Sequence, residues 1–215
     1  MPHRVPISAL VAFLLLAAAG PSTLTASAAA ASPPAPVTLD SEEDAQLQEG
    51  EIVIHDDLPP GREKGVRVRA VVDVKASEDV LWKAVLDLPA RVPENRGIKK
   101  VELYDEADNG AELRRGARWE LEILGETIVF FMRYTWDKGA SWLEWSLDPE
   151  KASDLVYSWG SCQVYAAPGK PGATRLVYTN ETDSGRKLPT WFRRHLATSS
   201  LKDLIGGIRD RAERR

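Results

Sequence analysis

Residues 66–87 read VRVRAVVDVKASEDVLWKAVLD, and the spacing of their apolar positions changes once along this stretch. In the first half, every second residue from Val66 to Val74 is apolar, which predicts a half-buried β-strand. In the second half the spacing becomes helical after Ser77, a residue type that caps helices. The apolar face of this helix would consist of Val80, Leu81, Ala84 and Val85. The stretch therefore predicts one strand followed directly by one short helix.

Six further segments of alternating apolar and polar residues predict six more strands. A short break with Pro89, Pro93 and Gly97 comes first, and turn residues such as Gly125 and the pair Asp148-Pro149 separate the segments. The predicted strands span residues 99–104, 111–123, 127–136, 141–147, 155–165 and 174–183. Because the connections between them are short, we expect an antiparallel meander.

A long helix is predicted at residues 188–212, with Pro189 tolerated in its first turn. One apolar stripe runs along it, formed by Leu201, Leu204, Ile205 and Ile208. An antiparallel sheet with one apolar face must be covered, and this helix is the only predicted element large enough to cover it. We therefore expect an α+β fold in which a curved, seven-stranded antiparallel sheet wraps around the C-terminal helix and leaves a cavity between them.

The N-terminal residues predict export. A weakly basic start containing Arg4 precedes the apolar run 7–19, and small residues follow in the spacing that a signal peptidase reads, with cleavage expected near Ala28 or Ala30. The apolar run is shorter than the roughly 20 residues that a membrane-spanning helix needs, so removal fits better than anchoring. We expect the mature protein to be periplasmic or extracellular.

The chain then divides into a signal peptide at 1–28, a disordered spacer with a short helix and lead-in at 29–64, and one folded domain at 65–213. Residues 40–50 predict the short helix, with Asp40 or Ser41 as its cap and Gly50 at its end. Residues 51–55 predict a brief strand.

The composition argues against several classes of function. The chain carries 28 Lys and Arg against 32 Asp and Glu, a formal net charge of −4, which disfavours nucleic acid as a partner. Cys162 is the only cysteine, so no disulfide can form within the chain. The sequence has no metal-ligand cluster, no phosphate-binding glycine loop and no nucleophile elbow. We assign no catalytic residue, metal or cofactor, which makes an enzyme less expected without excluding one.

Five segments carry a resemblance to a known family. They are VDVKASEDVLWKAVLD (72–87), IKKVELY (98–104), WLEWSL (142–147), RLVY (175–178) and LPTWF (188–192). Through them the chain resembles the START-like helix-grip (SRPBCC) superfamily from about residue 66 onward, most nearly its polyketide-cyclase/dehydratase and coenzyme-Q-binding-like branch. Residues 160–164 depart from the pattern of relatives. The resemblance implies an apolar ligand or lipid in a helix-grip cavity, and it implies no reaction.

Nine residues are candidates for the lining of this cavity: Trp119, Phe131, Arg133, Trp145, Tyr178, Asn180, Trp191, Leu201 and Ile205. Arg133 would anchor a carboxylate or phosphate if its side of the 127–136 strand faces inward. Both sides of that strand are apolar enough to face the core, so the sequence does not decide its orientation. Tyr178 and Asn180 share a face and can orient a ligand hydroxyl. The structural alternatives are an ion-paired surface arginine, a packed tyrosine and core tryptophans.

Three functions stay open at this point. The leading one is an exported binding or carrier protein for a lipid or another apolar small molecule. The alternatives are a cyclase- or dehydratase-type enzyme that uses the same cavity, and a structural or interaction module with a filled core. Trp191 and Phe192 at the start of the last helix would allow transient contact with a membrane interface. The sequence does not indicate an oligomeric state.

Overall fold

The computed structural model describes residues 35–57, 65–123, 125–186 and 189–214. The predicted signal peptide at 1–28 lies outside the described residues, as do 29–34 and 58–64 of the lead-in. Within the described ranges, no helix has the length and the apolar character needed to cross a membrane.

Four helices and eight strands are described. In chain order they are α1 (Ser41–Gln48), β1 (Val53–Asp57), β2 (Val66–Val74), α2 (Glu78–Leu86), α3 (Arg91–Glu94), β3 (Ile98–Asp108), β4 (Glu112–Ile123), β5 (Glu126–Asp137), β6 (Trp142–Leu147), β7 (Tyr157–Ala166), β8 (Thr174–Asp183) and α4 (Thr190–Glu213). The short break predicted around Pro89 and Pro93 contains the one-turn helix α3.

The described strands form one antiparallel sheet in the order β1-β2-β8-β7-β6-β5-β4-β3. The sheet has eight strands, so the expectation of seven is wrong. The additional strand is β1, the brief strand of the lead-in, which pairs with β2 and occupies the edge of the sheet.

The main core lies between one face of the sheet, here called the inner face, and the helices α2 and α4. The alternation of β2 places its residues from Val66 to Val74 at every second position in this core, as predicted. From α4, the fully buried residues are Leu201, Ile205, Ile208 and Ala212. Leu204, the remaining member of the predicted stripe, is half-buried against the same core.

A smaller core covers part of the opposite, outer face. Leu47 of α1 packs there with Val53, Val71 and Val177, and Val37 and Leu39 lie against them. The start of α1 has the predicted cap, because the Asp40 carboxylate accepts the amide N–H groups of Glu42 and Glu43 at 2.9 Å each. The N-terminal helix is thus docked on the sheet.

Candidate functional site

The centre of the inner face is a cluster of aromatic rings. The rings of Trp145 and Tyr178 lie 4.7 Å apart, and those of Tyr134 and Trp145 lie 5.9 Å apart. Trp119 stacks on Phe130 at 6.2 Å. The Trp145 indole N–H donates to the Asn180 side-chain oxygen at 3.3 Å. The antiparallel register explains the cluster, because Tyr134 on β5 lies opposite Trp145 on β6.

Six of the nine candidate residues meet in this region. Trp119, Trp145 and Tyr178 are buried on the inner face, and Asn180 is half-buried beside Trp145. Leu201 and Ile205 reach the same core from α4. The structure therefore brings together the sheet and helix residues that a ligand in this space would touch.

Phe131 and Arg133 lie on the outer face, so an inward orientation is wrong for both. Residues 130, 132, 134 and 136 of β5 take the inner face, and their neighbours must point the other way. The ring of Phe131 meets that of Tyr104 at 6.0 Å, and Arg133 pairs with Asp148 at 3.0 Å and with Glu150 at 2.7 Å. Arg133 is therefore an ion-paired surface arginine, which was the alternative to a ligand anchor in the sequence analysis.

Trp191 does not line the interior. Its side chain is 71 % exposed at the start of α4, where its ring lies 5.5 Å from that of Phe192.

The interior is closely packed. A space of about 10 Å³ lies between the inner face and the end of α2, lined by Leu86, Leu88, Leu113, Arg115, Tyr134, Trp136 and Leu143. That volume holds roughly one water molecule. A larger pocket of about 200 Å³ lies on the outer face, under residues 35–38 and beside Trp142 and Gln163. The interior space would have to widen, by movement of the elements around it, to admit an apolar ligand.

Among the residues that the structure describes, Arg91 is the one buried cation of the inner core, and the sequence reasoning missed it. It is 2 % exposed and its guanidinium lies 5.6 Å from the centre of the Trp119 ring. Its Nη2 donates to the Val85 carbonyl at 2.8 Å. Nothing in the sequence marks this residue, because it stands in the proline-containing break and is buried by tertiary packing alone.

Two phenols and one thiol of the interior remain protonated at neutral pH. Burial raises the pKa of the Tyr134 and Tyr178 phenols and of the Cys162 thiol, and the charge of Arg91 opposes that rise in each case. The phenols can donate hydrogen bonds but cannot act as bases. Outside the interior, His55 on β1 approaches Glu43 at 3.1 Å and His195 is exposed on α4. In the described part of the chain, no three His, Cys, Asp or Glu residues are arranged to hold a metal.

The two halves of α4 are anchored differently. Every fully buried residue of this helix lies between Leu201 and Ala212, and residues 190–200 contribute none. The first half is tied to β1 by the ion pair between Arg194 and Asp56, in which Nη2 and Oδ1 are 2.8 Å apart. Arg193 adds a long hydrogen bond of 3.4 Å to the Gly65 carbonyl. Within the described ranges, the first half of α4 is therefore held by fewer buried apolar side chains than the second half.

No family model and no curated protein matches the chain. Solved structures do match its fold. A STAR-related lipid transfer protein from Xanthomonas axonopodis is 13% identical with a TM-score of 0.61, and the match covers 75% of this chain and 93% of that one. A START superfamily protein from Mycobacterium smegmatis is 20% identical with a TM-score of 0.55, over 69% and 97%. The Zhui aromatase/cyclase from Streptomyces sp. R1128 is 18% identical with a TM-score of 0.54, over 70% and 95%.

At sequence identities this low, a match to a solved structure is evidence for a shared fold and not for a shared activity. The antiparallel sheet, the long C-terminal helix and these matches show that the chain has the START-like helix-grip fold.

Proposed function

We propose that the protein binds a lipid or another apolar small molecule between the inner face of the sheet and α4, and that it does so outside the cytoplasm after cleavage near Ala28 or Ala30. The observation that carries this proposal is the uneven anchoring of α4. Its second half is buried in the core, whereas its first half contributes no fully buried side chain. The first half is thus the element that can move to admit a ligand.

Half-buried apolar side chains at the edge of the main core support the proposal. Phe130 and Leu147 on the sheet and Ala197 and Leu204 on α4 are half-buried against the same core. Movement of the helix away from the sheet would expose these side chains and the aromatic rings behind them to water. An apolar ligand in the opened space would bury them again, so the hydrophobic effect would favour the bound state.

The solved relatives support the class of ligand. The matched protein from Xanthomonas axonopodis is described as a lipid transfer protein. Export is supported by the N-terminal sequence pattern. Trp191, largely exposed at the start of α4, fits transient contact with a membrane interface during ligand uptake.

A structural or interaction module with a filled core is the second candidate, and one observation favours it. The space of about 10 Å³ in the interior is too small for a ligand without movement. The cyclase or dehydratase alternative has less support, because the interior phenols and thiol are held protonated and both described histidines lie outside it.

Quenching of tryptophan fluorescence by dibromostearate separates the first two candidates, because bromine quenches only rings that it approaches closely. The proposal predicts saturable quenching of the buried tryptophans Trp119 and Trp145. Leu204→Glu, which places a charge at the half-buried rim, should weaken this binding about tenfold or more. Ser199→Glu, on the exposed surface of the same helix, is the matched control and should bind like the wild type. Absence of saturable quenching in the wild type would favour the filled-core module.

A further inference from the structure

A buried positive charge in the main core has no negative partner in the described part of the chain. No carboxylate of the described residues lies within 4.0 Å of the Arg91 guanidinium, and the buried Nε of Arg91 has no hydrogen-bond acceptor among them. Glu94, one helical turn away on α3, pairs instead with Arg211 of α4. The carboxylate best placed by sequence to neutralise Arg91 is therefore engaged elsewhere.

A guanidinium stays charged in proteins, so this burial carries a desolvation cost that a deprotonation cannot relieve. The contacts that Arg91 does make are neutral: the Val85 carbonyl and the face of Trp119. Such contacts stabilise the cation without supplying an opposite charge. A buried donor without an acceptor, such as the Nε of Arg91, needs a structural explanation, and a ligand that accepts its hydrogen bond supplies one.

We propose that Arg91 anchors the acid group of the ligand, so that the molecule bound in the helix-grip interior is apolar with a single carboxylate. This inference rests on the proposed function and adds the chemical class of the ligand. A carboxylate matches the planar donor geometry of the guanidinium, and the low polarity of the surroundings strengthens the pair.

Two phenols complete the acid-binding end. The phenols of Tyr134 and Tyr178 flank Trp145 in the aromatic cluster of the same core, and the charge of Arg91 opposes the rise that burial causes in both their pKa values. Because burial keeps these phenols protonated, each has an O–H that can donate to a carboxylate oxygen. The apolar remainder of the ligand would then lie along the aromatic inner face toward Phe130 and Leu147.

Calorimetric titration with decanoate and with decan-1-ol at pH 8 tests the inference, since the two probes share one chain and differ in charge. The wild type should bind decanoate about tenfold or more tightly than decan-1-ol. Arg91→Met should lose this preference and still bind decan-1-ol. Arg133→Met removes the same charge from the outer face and should keep the preference.

The outcomes separate the two proposals. Equal affinity of the wild type for both probes, or a preference that survives in Arg91→Met, would overturn the anchor and leave apolar binding intact. Failure of the wild type to bind either probe would overturn both. Arg91→Met should fold, because it removes the desolvation cost of a buried charge and keeps an apolar side chain of similar length in the core. If Arg91→Met does not fold, the relative affinity of the wild type for decanoate and decan-1-ol still tests the inference, because equal affinities would overturn it.

Discussion

Trp145 occupies the space that a side chain at position 160 would need. A Cβ atom built on Gly160 would lie 2.3 Å from the Trp145 indole ring, and the two residues face each other across β6 and β7. The indole lies against the bare backbone of Gly160 and from there contacts Tyr134 and Tyr178. This contact gives a physical reason for a glycine at position 160.

Gly160→Ala should therefore destabilise the protein. The added methyl group forces Trp145 out of its position, and overpacking of this kind costs about 1–3 kcal/mol. Gly206→Ala on α4 is the control, because a Cβ there meets nothing within 4 Å and should stabilise the helix by roughly 0.5–1 kcal/mol. Urea unfolding measures both. A Gly160→Ala protein as stable as the wild type would show that Trp145 is not held in this position.

Arg194→Met should speed ligand association. The Arg194–Asp56 ion pair ties the loosely anchored half of α4 to β1, so its loss eases the movement that admits a ligand. Both side chains are partly exposed, and the cost in global stability should stay below about 1 kcal/mol. Stopped-flow tryptophan quenching measures the rate. Arg114→Met, which breaks a surface pair with Glu112 on β4, is the matched control. Equal rates in the two variants would contradict the gating role of α4.

The same pair predicts a pH dependence. A hydrogen bond from Arg194, together with its charge, outweighs burial and holds the pKa of Asp56 below its usual range. The ion pair is therefore intact above about pH 4 and is lost as the pH falls through the lowered pKa. Association in the wild type should accelerate on that acidification, and in Arg194→Met this acceleration should be absent. An identical pH profile in both proteins would be inconsistent with the pair as a latch.

Asp73→Asn should be among the more damaging single substitutions. Asp73 is buried on the outer face, where its carboxylate accepts from Arg175 at 2.7 and 3.1 Å and lies 3.0 Å from Lys170. Removing one partner of a buried ion pair costs about 3–5 kcal/mol. The control is Asp108→Asn, which breaks an exposed pair with Lys138 and should change the stability far less. Similar losses of urea stability in the two variants would contradict the burial of the Asp73 charge.

Acid denaturation should depend on the same carboxylate. Burial favours the protonated form of Asp73, but the hydrogen bonds and charges of Arg175 and Lys170 outweigh it and lower the pKa. A lowered folded-state pKa gives stability that is present above about pH 4 and is lost as the pH falls further. Between pH 5 and 2 the wild type should lose more stability than Asp73→Asn, as followed by urea unfolding at each pH.

The thiol of Cys162 should report on opening of the core. It is fully buried on β7, and burial raises its pKa, so the native protein should react with a thiol reagent at pH 8 far more slowly than the unfolded protein. Saturating decanoate should slow the reaction further. Fast, stoichiometric labelling of the native protein would show that the inner core is not closed as described.

The strands and the last helix follow from local periodicity, whereas the site depends on tertiary packing. The alternation of β2 and the stripe around Ile205 mark buried faces directly. On β5, both Phe130 and Phe131 are apolar, so the sequence could not decide which side meets the core. No sequence pattern predicts the burial of Arg91, because a charged residue in a short break is expected at the surface. The strand β1 was visible in the sequence, but its place at the sheet edge was not.

Native mass spectrometry of the protein purified from an exported fraction is the most direct test of ligand binding. The account predicts a species heavier than the denatured chain by the mass of one small apolar acid, and the excess should vanish on denaturation. The mature mass should also place the N-terminus near residue 29 or 31. An unliganded mass in both states, together with no uptake of decanoate or decan-1-ol, would contradict the proposed binding and leave a helix-grip module with a filled core.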